Sequence, residues 1–281
     1  MFYLFNILIQ MKIILNNSIL IKTLRPFNDI GFVPTMGSIH EGHISLIKKS
    51  IKTNKKTIVS IFVNPKQFNN TKDFKSYPSN IKNDLTILKK IKKLDIVYIP
   101  NFRDIYENKK KPHIKIKKKD RVLCAKHRKG HFEGVLDVMD RLTKLIEPKN
   151  IFMGKKDFQQ LFLVKSFIEK KYDTKIIGCK TIRNKNKLAL SSRNFLFKKD
   201  ELSQVESISK KFLNLKIKIK NKKNINKFLE KSKKNLERFF SIKVEYLENR
   251  DLEKLAISNK HQNSKIFLSY YYKGIRLIDN F

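Results

Sequence analysis

The sequence predicts an α/β protein, with a parallel sheet over the longer N-terminal part and a smaller α+β unit after it. Three observations predict this. Short apolar runs of strand length, DIGFVP (29–34), TIVSIFVNP (57–65) and LDIVYIP (94–100), alternate with SLIKKSIKT and SNIKNDLTILKKIKK, whose apolar residues recur at helical spacing. Each helix in such an alternation returns the chain to the same end of the sheet, which calls for parallel strands and right-handed crossovers. Near residue 181 the texture changes to Lys-rich helix and then to IKVEYLENRDLEKL and SKIFLSYYYKGIRLID, which read as strands.

Taken in order, the chain opens on MFYLFNILIQMKIILNNSILIK, which is apolar but has no basic region before the apolar run and no small-residue cleavage site. Lys12 interrupts it well short of a spanning length, so residues 1–10 are read as an extra N-terminal segment ahead of Met11, and a cytoplasmic protein is expected. After the strand at 29–34 comes PTMGSIHEGH, then the first strong helix. GVLDVMDRLTKLIEP (134–148) is amphipathic and stopped by Pro148; NIFMG (150–154) returns as a strand before KKDFQQLFLVKSFIEKKY. The expected organisation is a Rossmann-like domain over 1–181 and an α+β lid domain over 182–281. Ligands in such sheets collect at the carboxyl ends of the strands. Neither GxxxxGK[ST] nor GxGxxG occurs, so any nucleotide is held by another device.

Formal charge is +38, from 63 Lys+Arg against 25 Asp+Glu. A field of that size attracts anions in general, nucleic acid included. The basic runs 108–121 and 216–227 nevertheless lack the interleaved aromatics on which single-stranded bases stack, and they read as solvated loops and faces. Lys, Asn and Ile are abundant throughout, as A+T-rich codons would make them. No specific nucleic-acid partner and no membrane partner are expected. Cys124 and Cys179 match no metal-ligand spacing and are expected to be free thiols.

His40 and His43, three residues apart, fall on one side of a helix start, at the positive end of its dipole. Backbone and imidazole N–H groups there suit a phosphate, and can stabilise charge building on a phosphorus under in-line attack. Gly37 and Gly42 let the backbone come close. PTMGSIHEGHISLI resembles the His-x-Gly-His signature of the nucleotidyl-transferase superfamily, and its flanks look like the pantoate–β-alanine ligase family. VSIFVNPKQF (59–68), KGHFEGV (129–135), GKKDFQQL (154–161), LALSSRN (188–194) and the closing KIFLSYYYKGIRLIDN are similar to that family in the same order, over about residues 12–280.

The resemblance implies ATP-dependent activation of pantoate to pantoyl adenylate, then attack by β-alanine, with AMP and pyrophosphate released. It implies an ATP site of Met36, Gly37, Ser38, Ile39, His40, Glu41, Gly42, His43, Gly154, Lys155, Lys156, Asp157, Ile182, Leu190, Ser191, Ser192 and Arg193. His43, His40 and Lys156 are the expected catalytic residues, and Ser191, Ser192 and Arg193 a mobile triphosphate clamp. Gln67 and Gln160 would hold pantoate, Gln67 also β-alanine, because an amide offers the donor and acceptor a hydroxy acid requires. Asp84 would anchor Mg²⁺, Gly154 would permit a tight turn, and a homodimer is expected. Four positions depart from the family pattern: Asn83 for an acid, Asp137 for a small or hydroxyl residue, Lys155 for Glu and Lys187 for Gly. Another nucleotidyl transferase, or a basic nucleic-acid-binding protein on this fold, stay open as alternatives; the Gln pair argues against a nucleotide-only transferase.

Overall fold

The computed structural model describes residues 11–69, 71–106 and 114–281. The proposed extra segment 1–10 and most of the first half of the basic run 108–121 lie outside them. The first sheet is parallel, in the order β1-β4-β3-β2-β5-β6: β1 Lys12–Ile14, β2 Ile30–Thr35, β3 Lys56–Ile61, β4 Ile96–Tyr98, β5 Asn150–Gly154 and β6 Lys175–Cys179. Its helices are α1 Asn17–Leu24, α2 Glu41–Thr53, α3 Thr71–Lys75, α4 Ile81–Lys89, α5 Phe102–Tyr106, α6 Leu123–His127, α7 His131–Ile146 and α8 Phe158–Lys171. The expected parallel α/β sheet is therefore present.

Physical reasons set the ends of these elements. Strand β3 stops at Ile61 rather than running to Pro65, because the chain bends into a 3₁₀ turn, Pro65–Gln67, that Asn64 caps by accepting from the Lys66 N–H. Pro65 has no N–H with which to continue a ladder. Helix α7 starts at His131, earlier than the periodicity alone suggests, since Gly130 takes the left-handed conformation just before it (φ 80°). Phe32, Val33, Ile58 and Val59 are fully buried between helix layers, as strands covered on both faces require.

After β6 come α9 Lys199–Lys218, α10 Ile225–Phe240 and an antiparallel sheet of β7 Lys243–Asp251, β8 Ser264–Tyr272 and β9 Ile275–Asn280. A separate apolar core, Leu188, Val205, Phe212, Leu229, Leu268 and their neighbours, is drawn from residues beyond 187. Within the basic run 216–227, Ile219 and Ile225 are buried and the lysines point to solvent, the solvated face expected of it. Among the described residues no helix is long and apolar enough to cross a membrane. Cys124 and Cys179 are free.

Candidate active site

At the carboxyl ends of β2 and β5 the strand order reverses, with β3 and β4 on one side and β6 on the other. Such a switch point opens a crevice. A cavity of about 300 Å³ lies there, lined by Met36, Gly42, Gly154, Asp157, Ile182 and Leu190, and by the histidine, glutamine and serine residues described below.

The turn after β2 is built by backbone contacts. Thr35 Oγ1 donates to Ser60 O and accepts from the Gly37 N–H at 3.1 Å. Gly37 sits at φ 79°, and a Cβ on it would lie 2.8 Å from Asp84 Oδ2. Asp84, 1% exposed, accepts from the Ser38 N–H at 2.8 Å and the Ile39 N–H at 2.7 Å, one bond to each carboxylate oxygen. The carboxylate, expected to anchor Mg²⁺, thus lies beneath the turn with one N–H on each oxygen and is not among the residues lining the cavity. Gly37, Ser38 and Ile39 form the turn and Glu41 opens α2, and none of the four lines the cavity, Ile39 being 2% exposed in the apolar core. Among the described residues no three His, Cys, Asp or Glu side chains gather as a metal site.

His40 caps α2. Its Nδ1 accepts from the Gly42 N–H at 3.0 Å, while His43 Nδ1 accepts from the His40 N–H at 3.4 Å, and the rings stack 4.1 Å apart. With each Nδ1 an acceptor, the proton of the neutral ring sits on Nε2. Burial, helped by the nearby Lys156 ammonium, lowers the His40 pKa to about 4. Burial, then His40 and Lys156, holds His43 well below the usual range. Both rings are therefore neutral N–H donors at pH 7.

A third buried imidazole, His131 in KGHFEGV, has no role legible from sequence; only its contacts reveal one. Its Nδ1–H donates to Gln67 O at 2.6 Å and its Nε2 accepts from Arg128 Nη1 at 2.8 Å. Burial and the Arg128 charge lower its pKa to about 3. For all three histidines the folded pKa lies below the unfolded value of 6.5, so the unfolded chain binds more protons in between. Their contribution to stability is intact above that value and is lost as pH falls toward 4. Unfolding calorimetry at pH 5.5, in buffers of differing ionisation heat, is expected to show net proton uptake, His40 and His131 contributing roughly one proton each; uptake near zero would contradict the assignment.

The turn carrying Gln67 rests directly on α7. A Cβ on Gly134 would stand 2.3 Å from Lys66 O, so only glycine admits this approach. Asn64, also unassigned from sequence, donates from Nδ2 to Gly134 O and to Gln67 Oε1 (3.1 and 3.3 Å), and accepts from Tyr106 Oη. Gln67 Nε2 donates to Met36 Sδ, a weak acceptor that a stronger one can replace. Gln160 reaches the same cavity from the first turn of α8; its neighbour Gln159 is spent on Asp120 O, Val122 O and the Ala125 N–H. Asp137 faces away, accepting from Arg141 Nε at 2.6 Å and Lys66 Nζ at 3.4 Å, so the departure there adds no carboxylate to the cavity.

After β5 a 3₁₀ turn, Lys155–Asp157, presents Lys156, whose Nζ lies 3.3 Å from Asp157 Oδ1. Lys155 points to solvent and does not line the cavity. The expectation that Gly154 permits a tight turn is not met: its φ of −76° suits any residue, and a Cβ there meets no protein atom within 4 Å. Lys187 holds the left-handed conformation (φ 71°) that glycine would take more cheaply, its N–H bonded to Asn184 O. Ile182 and Leu190 are joined by the Leu190 N–H to Ile182 O at 2.9 Å.

Ser191, Ser192 and Arg193 line the cavity, and each takes part in hydrogen bonds within the protein. Ser191 Oγ accepts from the Arg193 N–H, and Ser192 Oγ donates to Ser38 O. Arg193 Nη2 binds both oxygens of Asp73 (2.8 and 2.9 Å) while Nη1 donates to Arg276 O. Arg276 in turn pairs with Glu245.

Comparison with known proteins agrees with this geometry. Residues 12–281 match the family model described as Pantoate-beta-alanine ligase. The chain is 38% identical to the pantothenate synthetase of Flavobacterium psychrophilum over 270 residues, 92% of this chain and 95% of the relative. It superposes on the pantoate-beta-alanine ligase of Francisella tularensis, crystallised with beta-gamma ATP and beta-alanine, with a TM-score of 0.83 at 34% identity, covering 96% of this chain and 97% of the other. Against the pantothenate synthetase of Thermus thermophilus the TM-score is 0.87 at 25% identity, covering 96% and 99%. The match spans both sheets and every stretch that builds the cavity, and the chain belongs to the pantoate–β-alanine ligase family.

Proposed function

We propose that this chain condenses pantoate with β-alanine at the expense of ATP, through pantoyl adenylate. The observation that carries the reading is one cavity holding two neutral imidazole donors, the Lys156 ammonium and the paired amides of Gln67 and Gln160. A pantoate carboxylate oxygen attacks the α-phosphorus in line, the bond to pyrophosphate breaks, and His43 and His40 Nε2–H groups meet the charge that develops. Lys156 attracts the triphosphate before and during this step. The β-alanine amine then attacks the acyl carbonyl, AMP leaves, and the amine proton passes to solvent. Binding and electrostatics suffice; no side chain forms a covalent bond.

Residues 182–281 act as the lid in this reading, bringing Ser191, Ser192 and Arg193 to the nucleotide. Mg²⁺ enters with the nucleotide as part of the substrate, a reading supported by the lack of a three-ligand His, Cys, Asp or Glu cluster among the described residues. A homodimer in the cytoplasm rests on family resemblance, and sedimentation velocity tests the first. The assay for the whole reading supplies pantoate, β-alanine, ATP and Mg²⁺ and follows AMP and pyrophosphate. ADP and phosphate as products would overturn it.

Substrate identity is tested at the amides. Gln67→Ala or Gln160→Ala leaves a polar pantoate atom unpaired in a water-poor cavity, and is expected to weaken pantoate by roughly 1–3 kcal/mol, about tenfold or more. Gln160→Glu is expected to be worse, because its charge repels the carboxylate and it supplies no donor. Isothermal titration of pantoate reads this directly; unchanged affinity in all three variants would remove the pantoate pocket.

A further inference from the structure

Asn280 lies near the end of β9, in the second sheet, yet its side chain reaches the turn that carries Lys156. Its Nδ2 donates to Lys155 O at 2.8 Å and to Lys156 O at 2.7 Å, across 125 and 124 residues of sequence. Its Oδ1 accepts from Lys265 Nζ at 2.7 Å, and its backbone N–H donates to Asp279 Oδ1. Asp279 is itself gripped by Arg183 through two nitrogens, at 2.7 and 2.8 Å. The Asn280 side chain is buried, at 2% exposed for the residue.

These partners fix which way the amide faces. Turned over, it would set a carbonyl oxygen against two carbonyls and an NH₂ group against an ammonium. Only an amide supplies the two hydrogens on one side and the acceptor on the other. The closing strand thereby holds the backbone of residues 155–156, and with it the root of the side chain whose ammonium depresses both His40 and His43.

We infer that Asn280 is a positioning residue for adenylation, acting through Lys156: it ties the α+β unit to the catalytic turn and sets where the ammonium meets the triphosphate. The inference rests on the reading of Lys156 as an ATP contact. Displacing a reacting group by about an ångström is enough to lose on the order of a hundredfold in rate.

The experiment is a double-mutant cycle read by single-turnover adenylation, with pantoate affinity measured in parallel by isothermal titration. Asn280→Ala is expected to slow adenylation by roughly 10–100 fold, with pantoate affinity held within about twofold. Asn280→Asp is expected to be slower still, because its carboxylate faces two carbonyl oxygens. In a Lys156→Ala background, Asn280→Ala is expected to change the rate by less than about twofold. The same factor in both backgrounds, with Lys156→Ala itself impaired, would overturn the positioning role alone. Unimpaired adenylation in Lys156→Ala would overturn the Lys156 reading and this inference with it. Should Asn280→Ala fail to fold, Lys265→Met keeps the amide and removes only the cation that fixes its orientation. It is expected to give a smaller loss that again disappears with Lys156→Ala; a normal rate would overturn the inference.

Discussion

His43→Ala is expected to slow pantoyl-adenylate formation by on the order of 10²–10³ fold, the loss that follows removal of one preorganised donor aimed at developing charge. The ring suits that work because it lines the cavity, its Nδ1 is held by the His40 N–H and burial keeps it neutral, which leaves the proton on Nε2. ATP affinity is expected to change far less, since the charge it meets builds only as the phosphorus is attacked. The same substitution removes a capping contact of α2, which contributes about 0.5–2 kcal/mol to stability. A melting curve measures that part separately. Near-normal single-turnover adenylation in a folded variant would remove the role.

Asp84→Ala is expected to cost about 2–4 kcal/mol of stability, because the buried Ile39 N–H and the half-buried Ser38 N–H both lose a charged acceptor. The melting temperature should fall by roughly 5–10 °C. Asp84→Asn, which keeps one acceptor oxygen, should lie between. Activity should fall with the turn, and raising Mg²⁺ should not restore it. Recovery of Asp84→Asn at high Mg²⁺, with an unchanged melting temperature, would return this residue to the metal.

The inner strands of the first sheet, β2 to β5, were legible because they are covered on both faces and read as unbroken apolar runs, flanked by helices of clear period, whereas the edge strands β1 and β6 are partly exposed, carry no such run and were not predicted. The cavity was legible where chemistry demands a residue type in a fixed order: His40 and His43, Lys156, the two glutamines and Ser191–Arg193 all line it. What stayed hidden depends on contacts between distant parts of the chain. Asp84 lies 45 residues from the Ile39 amide it serves, and no local pattern distinguishes a carboxylate under a turn from one facing a metal. Gly154 reads as a turn-former although its backbone is ordinary, while Gly134, inside a plain helix, has the backbone contact that excludes any side chain. His131 holds Gln67 O across 64 residues, and Asn64, bonded to the Gln67 side chain, is itself fixed to Gly134 O across 70; periodicity carries no trace of such bonds.

Arg193, Lys156 and Arg276 reach the cavity wall with carboxylates already attached, Asp73, Asp157 and Glu245 respectively. A polyanion entering there does not fill a vacuum of negative charge; it trades places with anions the protein carries. The enthalpy released at each new contact is offset by the contact surrendered, so selectivity among anions falls to geometry, to which guest spans several cations at once while its other end fits between two amides. The formal charge of +38 has little say in that choice. It belongs largely to the outer surface, where it governs colloidal behaviour, while substrate meets a wall on which three of the cations already hold a carboxylate.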